Sequence, residues 1–112
     1  MKIYTDANPK ELSYVVGQNL KSCIVRLNST LTNNEAEYQA VLYALLNNDW
    51  RSQSLNLLSD SQLIVNQLNR KYKIKEPRLR ELAENIWALV KDRDVIFTWI
   101  PREENLAGKL LK

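Results

Sequence analysis

The sequence predicts an α/β fold in which a mixed five-stranded sheet is flanked by helices. Three observations carry this. Two β-forming runs, residues 12–16 and 20–27, are joined so tightly that they must pair antiparallel. Two later β-like runs each follow a helical pattern, and helical crossovers imply parallel pairing. Two capping signatures, Thr32-Asn33-Asn34-Glu35 and Ser59-Asp60-Ser61-Gln62, mark where helices begin.

Taken in order, residues 1–6 alternate, with Ile3 and Thr5 facing opposite to Tyr4, and read as a strand ending near Asp6. Asn8-Pro9 marks a turn. The hairpin strands at 12–16 and 20–27 are linked through Gly17-Gln18-Asn19. Thr32 as N-cap, with an acid three residues on, opens a helix to about Asn47; its stripe runs from Glu37 through Val41, Ala44, Leu45 and Asn48. Residues 54–59 form a short apolar strand, and the second capping signal opens a helix to about Asn69. A basic stretch closes at Pro77, where a helix with Leu79, Leu82, Ala83, Ile86 and Leu89 on its apolar side runs to about Lys91. Residues 95–100 are the last strand, Pro101 ends it, and 105–111 read as a short final helix. Nothing in the pattern marks a repeat or a linker, so residues 1–112 are expected to form one domain.

Composition narrows the chemistry. Apolar residues make up 45% and charged residues 26%, as in an ordinary globular protein. There is no histidine, which excludes imidazole bases, His-ligated metals and Ser-His or Cys-His nucleophile pairs. The one cysteine, Cys23, excludes an intrachain disulfide and is expected to be a buried thiol. Chemistry is left to carboxylates, Lys, Tyr or an oxygen-held metal. No apolar run approaches the roughly 20 residues of a membrane span, and no signal-peptide pattern opens the chain, so a cytoplasmic protein is expected.

Three acids stand out by position. Asp6 ends the first strand, Asp60 follows the fourth, and Glu37 lies in the first turns of the helix between them, on the face of the apolar stripe. Singly, Asp6 also fits a residue preceding a turn, and Asp60 a first-turn acid favoured by the helix dipole. Glu35 is accounted for by the capping box. Together, Asp6, Glu37 and Asp60 fall at strand ends near a topological switch point, where functional groups of open α/β sheets gather. Three adjacent carboxylates repel one another unless a cation sits among them, and hard oxygen ligands suit Mg²⁺ or Mn²⁺.

The net charge is +3, and its placement matters more than its size. Arg70, Lys71, Lys73, Lys75, Arg78 and Arg80 are opposed over their stretch only by Glu76, and Tyr72 interrupts them. Such a run is either a solvated connection or a surface that meets phosphates.

The motifs around these residues carry a resemblance. Tyr4-Thr5-Asp6, Thr32-Asn33-Asn34-Glu35-Ala36-Glu37, Ser59-Asp60-Ser61-Gln62 and Trp99-Ile100-Pro101-Arg102-Glu103-Glu104-Asn105 resemble, in order and over nearly the whole chain, the motifs of the ribonuclease H-like family, in its reverse-transcriptase-like branch. The resemblance implies the sheet order 3-2-1-4-5. It implies a Mg²⁺- or Mn²⁺-dependent endonuclease cutting the RNA strand of RNA–DNA hybrids by a two-metal mechanism. Asp6, Glu37 and Asp60 would then be its catalytic, metal-holding carboxylates. Asn33, Asn34, Arg70, Lys71, Lys73 and Lys75 would contact nucleic acid.

The chain departs from that pattern in three places. The family's fourth carboxylate follows an Ala after the last strand, and here Ala107 is followed by Gly108, one residue short of the usual spacing from Asn105. The Gly-rich loop after the first strand is reduced to Ala7-Asn8-Pro9-Lys10-Glu11, and the late-loop histidine of many members is absent. These departures leave open a non-catalytic nucleic-acid-binding domain of the same fold, or a nuclease acting on structured RNA or single-stranded DNA.

Overall fold

A computed structural model describes residues 1–17 and 19–111. Its elements are β1 (Lys2–Asn8), β2 (Glu11–Val16), β3 (Lys21–Arg26), α1 (Asn33–Leu46), β4 (Leu55–Ser59), α2 (Gln62–Leu68), α3 (Pro77–Val90) and β5 (Val95–Trp99), followed by two 3₁₀ turns, Arg102–Glu104 and Gly108–Leu111. The sheet has five strands in the order β3-β2-β1-β4-β5. β1–β2 and β2–β3 are antiparallel, β1–β4 and β4–β5 parallel. Both the mixed sheet and its order agree with the sequence reading.

Local chemistry explains the boundaries. β1 and β2 meet through Pro9-Lys10, where Asn8 Oδ1 accepts from the Lys10 amide at 2.9 Å and Asn8 Nδ2 donates to Glu11 Oε1 at 3.2 Å. That side-chain turn keeps Asn8 paired with Glu11, so β1 runs two residues past the expected end at Asp6. The expected connection at Gly17-Gln18-Asn19 includes Gln18, which lies outside the described residues. Leu20 is at φ 52 and belongs to the turn, so β3 starts one residue later than expected; it also ends one residue earlier, at Arg26.

The Thr32 hydroxyl accepts from the Glu35 amide at 3.1 Å and donates to Glu35 Oε1 at 3.1 Å, starting α1. Ser61, not Ser59 or Asp60, caps α2, accepting from the Ile64 amide at 3.3 Å. Pro77 opens α3 at a position where its missing N–H costs nothing.

α1 packs on β1 and β2 and against α3, and the core between them is apolar: Ile3, Tyr14, Val41, Leu45, Leu57, Ile64, Leu82 and Ile86 are buried. Trp50 is fully buried with its indole N–H donated to the Leu45 carbonyl at 2.8 Å. Cys23, on the edge strand β3, is half-buried rather than buried, because an edge strand has a neighbour on one side only.

The expected final helix is absent. The Ala107 amide is taken by the Asn105 side chain at 3.1 Å, and Gly108 follows, so the segment closes as a single 3₁₀ turn against β1 and β2. Among the described residues no helix is long and apolar enough to cross a membrane.

Candidate metal centre

Asp6, Glu37 and Asp60 each place a carboxylate oxygen within 4.8 Å of the other two. Three elements achieve this. β1 pairs with β4 only as far as Tyr4–Leu58, so Asp6 stands just beyond the point where its strand loses that neighbour. β4 ends at Ser59, paired with Trp99, and Asp60 is the next residue. The Trp99 indole donates to the Asp60 carbonyl at 3.1 Å, and the Ser59 hydroxyl accepts from the Ser61 amide at 3.1 Å, which together fix the Asp60 backbone. Glu37 comes from the second turn of α1, delivered by the Thr32 cap.

The electrostatics of the cluster are those of carboxylates that repel one another. Burial, together with Asp6 and Asp60, pushes the Glu37 carboxyl up to about 9. Its Oε1 is buried without a hydrogen-bond donor. Burial and Asp60 also raise Asp6 above the ordinary carboxylate range. A buried acceptor left orphaned costs roughly 1–3 kcal/mol, more if charged, and a hard divalent cation is the group that three converging oxygens would satisfy. The donor set therefore fits such an ion. Glu35 stands apart: beside its capping role, its Oε2 lies 3.4 Å from Arg78 Nε.

The corner expected to hold a fourth carboxylate is occupied by backbone. A Cβ on Gly108 would lie 3.0 Å from Asp6 Oδ2, so this residue abuts the triad. The approach is set by Asn105, fully buried, whose Nδ2 donates to the Thr5 carbonyl at 2.9 Å, and by the Ser13 hydroxyl, which donates to the Ala107 carbonyl at 2.9 Å. Arg102 counteracts the upward shifts of both Asp6 and Glu37, so its charge reaches the cluster. Sequence reasoning placed no role on Arg102, Ser13 or Trp99. An Asn shortly before Ala107-Gly108 was the one available signal for the Asn105 clamp.

The sequence-predicted nucleic-acid contacts lie on the surface. Asn33 is exposed and Asn34 half-buried at the start of α1, one turn before Glu37. The basic stretch links α2 to α3 and returns to this end of α1 through the Arg78–Glu35 pair. Its cations divide. Arg70, at φ 62, lays its guanidinium 3.8 Å from the Trp87 ring centroid. Arg78 and Arg80 pair with Glu81 and Glu84 within their helix. Lys71, Lys73 and Lys75 are exposed, and among the described residues none has a carboxylate within 4 Å.

Comparison with known proteins agrees with the geometry. The family model for reverse transcriptase-like proteins matches residues 17–111. A ribonuclease H1 named LC11, solved in complex with an RNA/DNA hybrid, superimposes with a TM-score of 0.82 at 31% identity, over 97% of this chain and 91% of the other. The ribonuclease H1 of the archaeon Halobacterium salinarum gives 0.81 at 25% identity, over 98% and 92%. A bifunctional protein of Mycobacterium tuberculosis is 33% identical over 76 residues, 66% of this chain. The chain spans only 21% of that relative's length. The protein EbsB of Enterococcus faecalis is 28% identical over 99% of this chain and 90% of its own length.

Proposed function

The chain belongs to the reverse transcriptase-like family of the ribonuclease H-like superfamily, and from that premise we propose that it is a divalent-metal-dependent endonuclease hydrolysing the RNA strand of RNA–DNA hybrids. The observation that carries the proposal is the convergence of three carboxylates with Glu37 Oε1 buried and unsatisfied. Asp6, Glu37 and Asp60 would hold Mg²⁺ or Mn²⁺. When bound, such ions supply activation of the attacking water and stabilisation of the departing oxygen in a two-metal scheme.

The chain's own residues do the rest. The three carboxylates must be ionised together, which Arg102 favours at Asp6 and Glu37. The clamp from Asn105 to β1 and the indole bond from Trp99 to Asp60 keep two of the ligands in register. Asn33, Asn34, Arg70, Lys71, Lys73 and Lys75 would meet the sugar-phosphate backbone, giving affinity without sequence choice. Of these, the three lysines are the freest to bind phosphate, because Arg70 already rests on Trp87.

Gly108 favours one second reading, a domain that binds the hybrid without turning it over, since glycine offers no side-chain ligand. Incubating the chain with labelled hybrid, duplex DNA, duplex RNA and single strands in Mg²⁺ separates the readings. RNA cleavage confined to the hybrid supports the endonuclease. Binding of hybrid without hydrolysis supports the second reading, and cleavage of the other substrates alone contradicts the assignment.

A further inference from the structure

A cavity of about 360 Å³ opens beside the triad, lined by Arg102, Glu103, Gly108 and Lys109. It lies where the family would carry a carboxylate, and its lining has the opposite sign, two cations against one acid. We propose that this cavity is an anion subsite that takes one phosphate group of the nucleic-acid backbone, gripped by Arg102 and Lys109 against the Asp6 corner. The inference rests on the nuclease reading and names residues which that reading alone does not require.

Three features support it. Gly108 both lines the cavity and abuts the carboxylate cluster: a side chain there would begin 3.0 Å from Asp6 Oδ2. The wall is held in place rather than loose, because Gly108 donates to the Asn105 carbonyl at 3.1 Å while Asn105 itself is clamped to the Thr5 carbonyl. Finally, both cations are available. Arg102 and Lys109 are exposed, and among the described residues neither has a carboxylate within 4 Å, Glu103 of the same cavity included.

Size and charge then select the ligand. A water claims about 30 Å³ of liquid, so the cavity has room for a phosphate group and part of its hydration. A guanidinium donates to phosphate oxygens in a fixed fork and an ammonium acts as a point charge, so this pair suits a phosphodiester or terminal phosphate. Asp6, Glu37 and Asp60 repel an anion at this corner until a cation neutralises them, so the subsite is expected to fill only when the triad is loaded. At the site of the missing fourth acid, the chain would thereby contact the substrate phosphate directly.

The test measures binding of a short RNA–DNA hybrid with Ca²⁺ in place of Mg²⁺, alongside calorimetric titration with Mn²⁺ alone. The Arg102→Ala/Lys109→Ala double variant is expected to bind the hybrid about tenfold more weakly, with a salt slope flatter by about one. Lys109→Ala alone, which leaves the Arg102 charge beside Asp6 and Glu37, is expected to weaken hybrid binding while its Mn²⁺ binding is retained. Lys91→Ala, at the opposite pole of the sheet beyond α3, is expected to change neither. Undiminished hybrid binding by the double variant would overturn the subsite while leaving the nuclease reading intact. Loss of Mn²⁺ binding in Lys109→Ala would also overturn it, because that residue would then be supporting the triad. Failure of the unaltered chain to bind hybrid at all would overturn both.

Discussion

Glu37 concentrates the physics of the site in one side chain. Its carboxyl has an ordinary value of 4.5 and is pushed up to about 9 by burial and by its neighbours Asp6 and Asp60. The folded, metal-free state therefore binds a proton that the unfolded chain has released. Stability from this source is fully present below 4.5 and is lost as pH rises through about 9. Thermal melts in chelator are expected to fall across that window, and Glu37→Gln, which cannot ionise, is expected to flatten the fall. Added Mn²⁺ is expected to raise the melting temperature most at the alkaline end, where the free carboxylates repel one another hardest. A pH-independent melt for the unaltered chain would contradict the arrangement. Gly108→Ala belongs to the same scale: its Cβ would crowd Asp6 Oδ2 at 3.0 Å, and Mn²⁺ affinity is expected to drop by roughly threefold, read by calorimetry. The three acids were legible in the sequence because each stands where a strand or a cap ends. Arg102 was not, because its effect is exerted across space and no local pattern marks it.

At the scale of elements, the caps were the most legible features. Thr32 caps α1 as its sequence promised, although Glu35 accepts from the Thr32 hydroxyl rather than from its backbone N–H, and Thr32→Ala is expected to cost about 1 kcal/mol in denaturant unfolding. The last segment was the least legible. An Asn followed by Leu-Ala-Gly reads as the start of a helix, yet its side chain bonds its own backbone and reaches β1, a contact made 100 residues away in sequence. Long-range hydrogen bonds of this kind have no periodicity to betray them. Asn105→Ala is expected to orphan the Thr5 carbonyl and the Ala107 amide, destabilising the fold by about 1–3 kcal/mol and weakening Mn²⁺ binding with it. Unchanged stability in that variant would show that the clamp is dispensable. The extension of β1 past Asp6 has a similar origin, since Asn8 and Glu11 close the turn with side chains that a strand pattern does not weigh.

Over the whole molecule, alternation and helical stripes were enough to specify a mixed sheet with an antiparallel hairpin and parallel crossovers. The order β3-β2-β1-β4-β5 came from the resemblance, because periodicity fixes which faces are apolar and leaves neighbour choice open. That order brings Asp6 and Asp60 together, the first near the end of β1 and the second just after β4, where the parallel pairing of the two strands has ended. It also carries the basic connection from α2 back to the start of α1, so Lys71, Lys73 and Lys75 share an end of the molecule with Asn33 and Asn34. Neutralising the three lysines together is expected to weaken hybrid binding and lower its salt slope by roughly two to three units. An unchanged slope would assign the segment to ordinary solvated surface.

In the proposed function, Asp6, Glu37 and Asp60 would hold the ions needed to cut RNA in a hybrid. The most direct measurement follows the RNA strand of a labelled hybrid under single-turnover conditions in Mg²⁺ and in Mn²⁺, for the unaltered chain and for Asp60→Asn. Strand cleavage is expected that EDTA abolishes and that Asp60→Asn slows by roughly 10²–10³-fold, the scale of losing one group that stabilises transition-state charge. Cleavage that persists undiminished in Asp60→Asn, or a hybrid left intact by the unaltered chain in both metals, would contradict it.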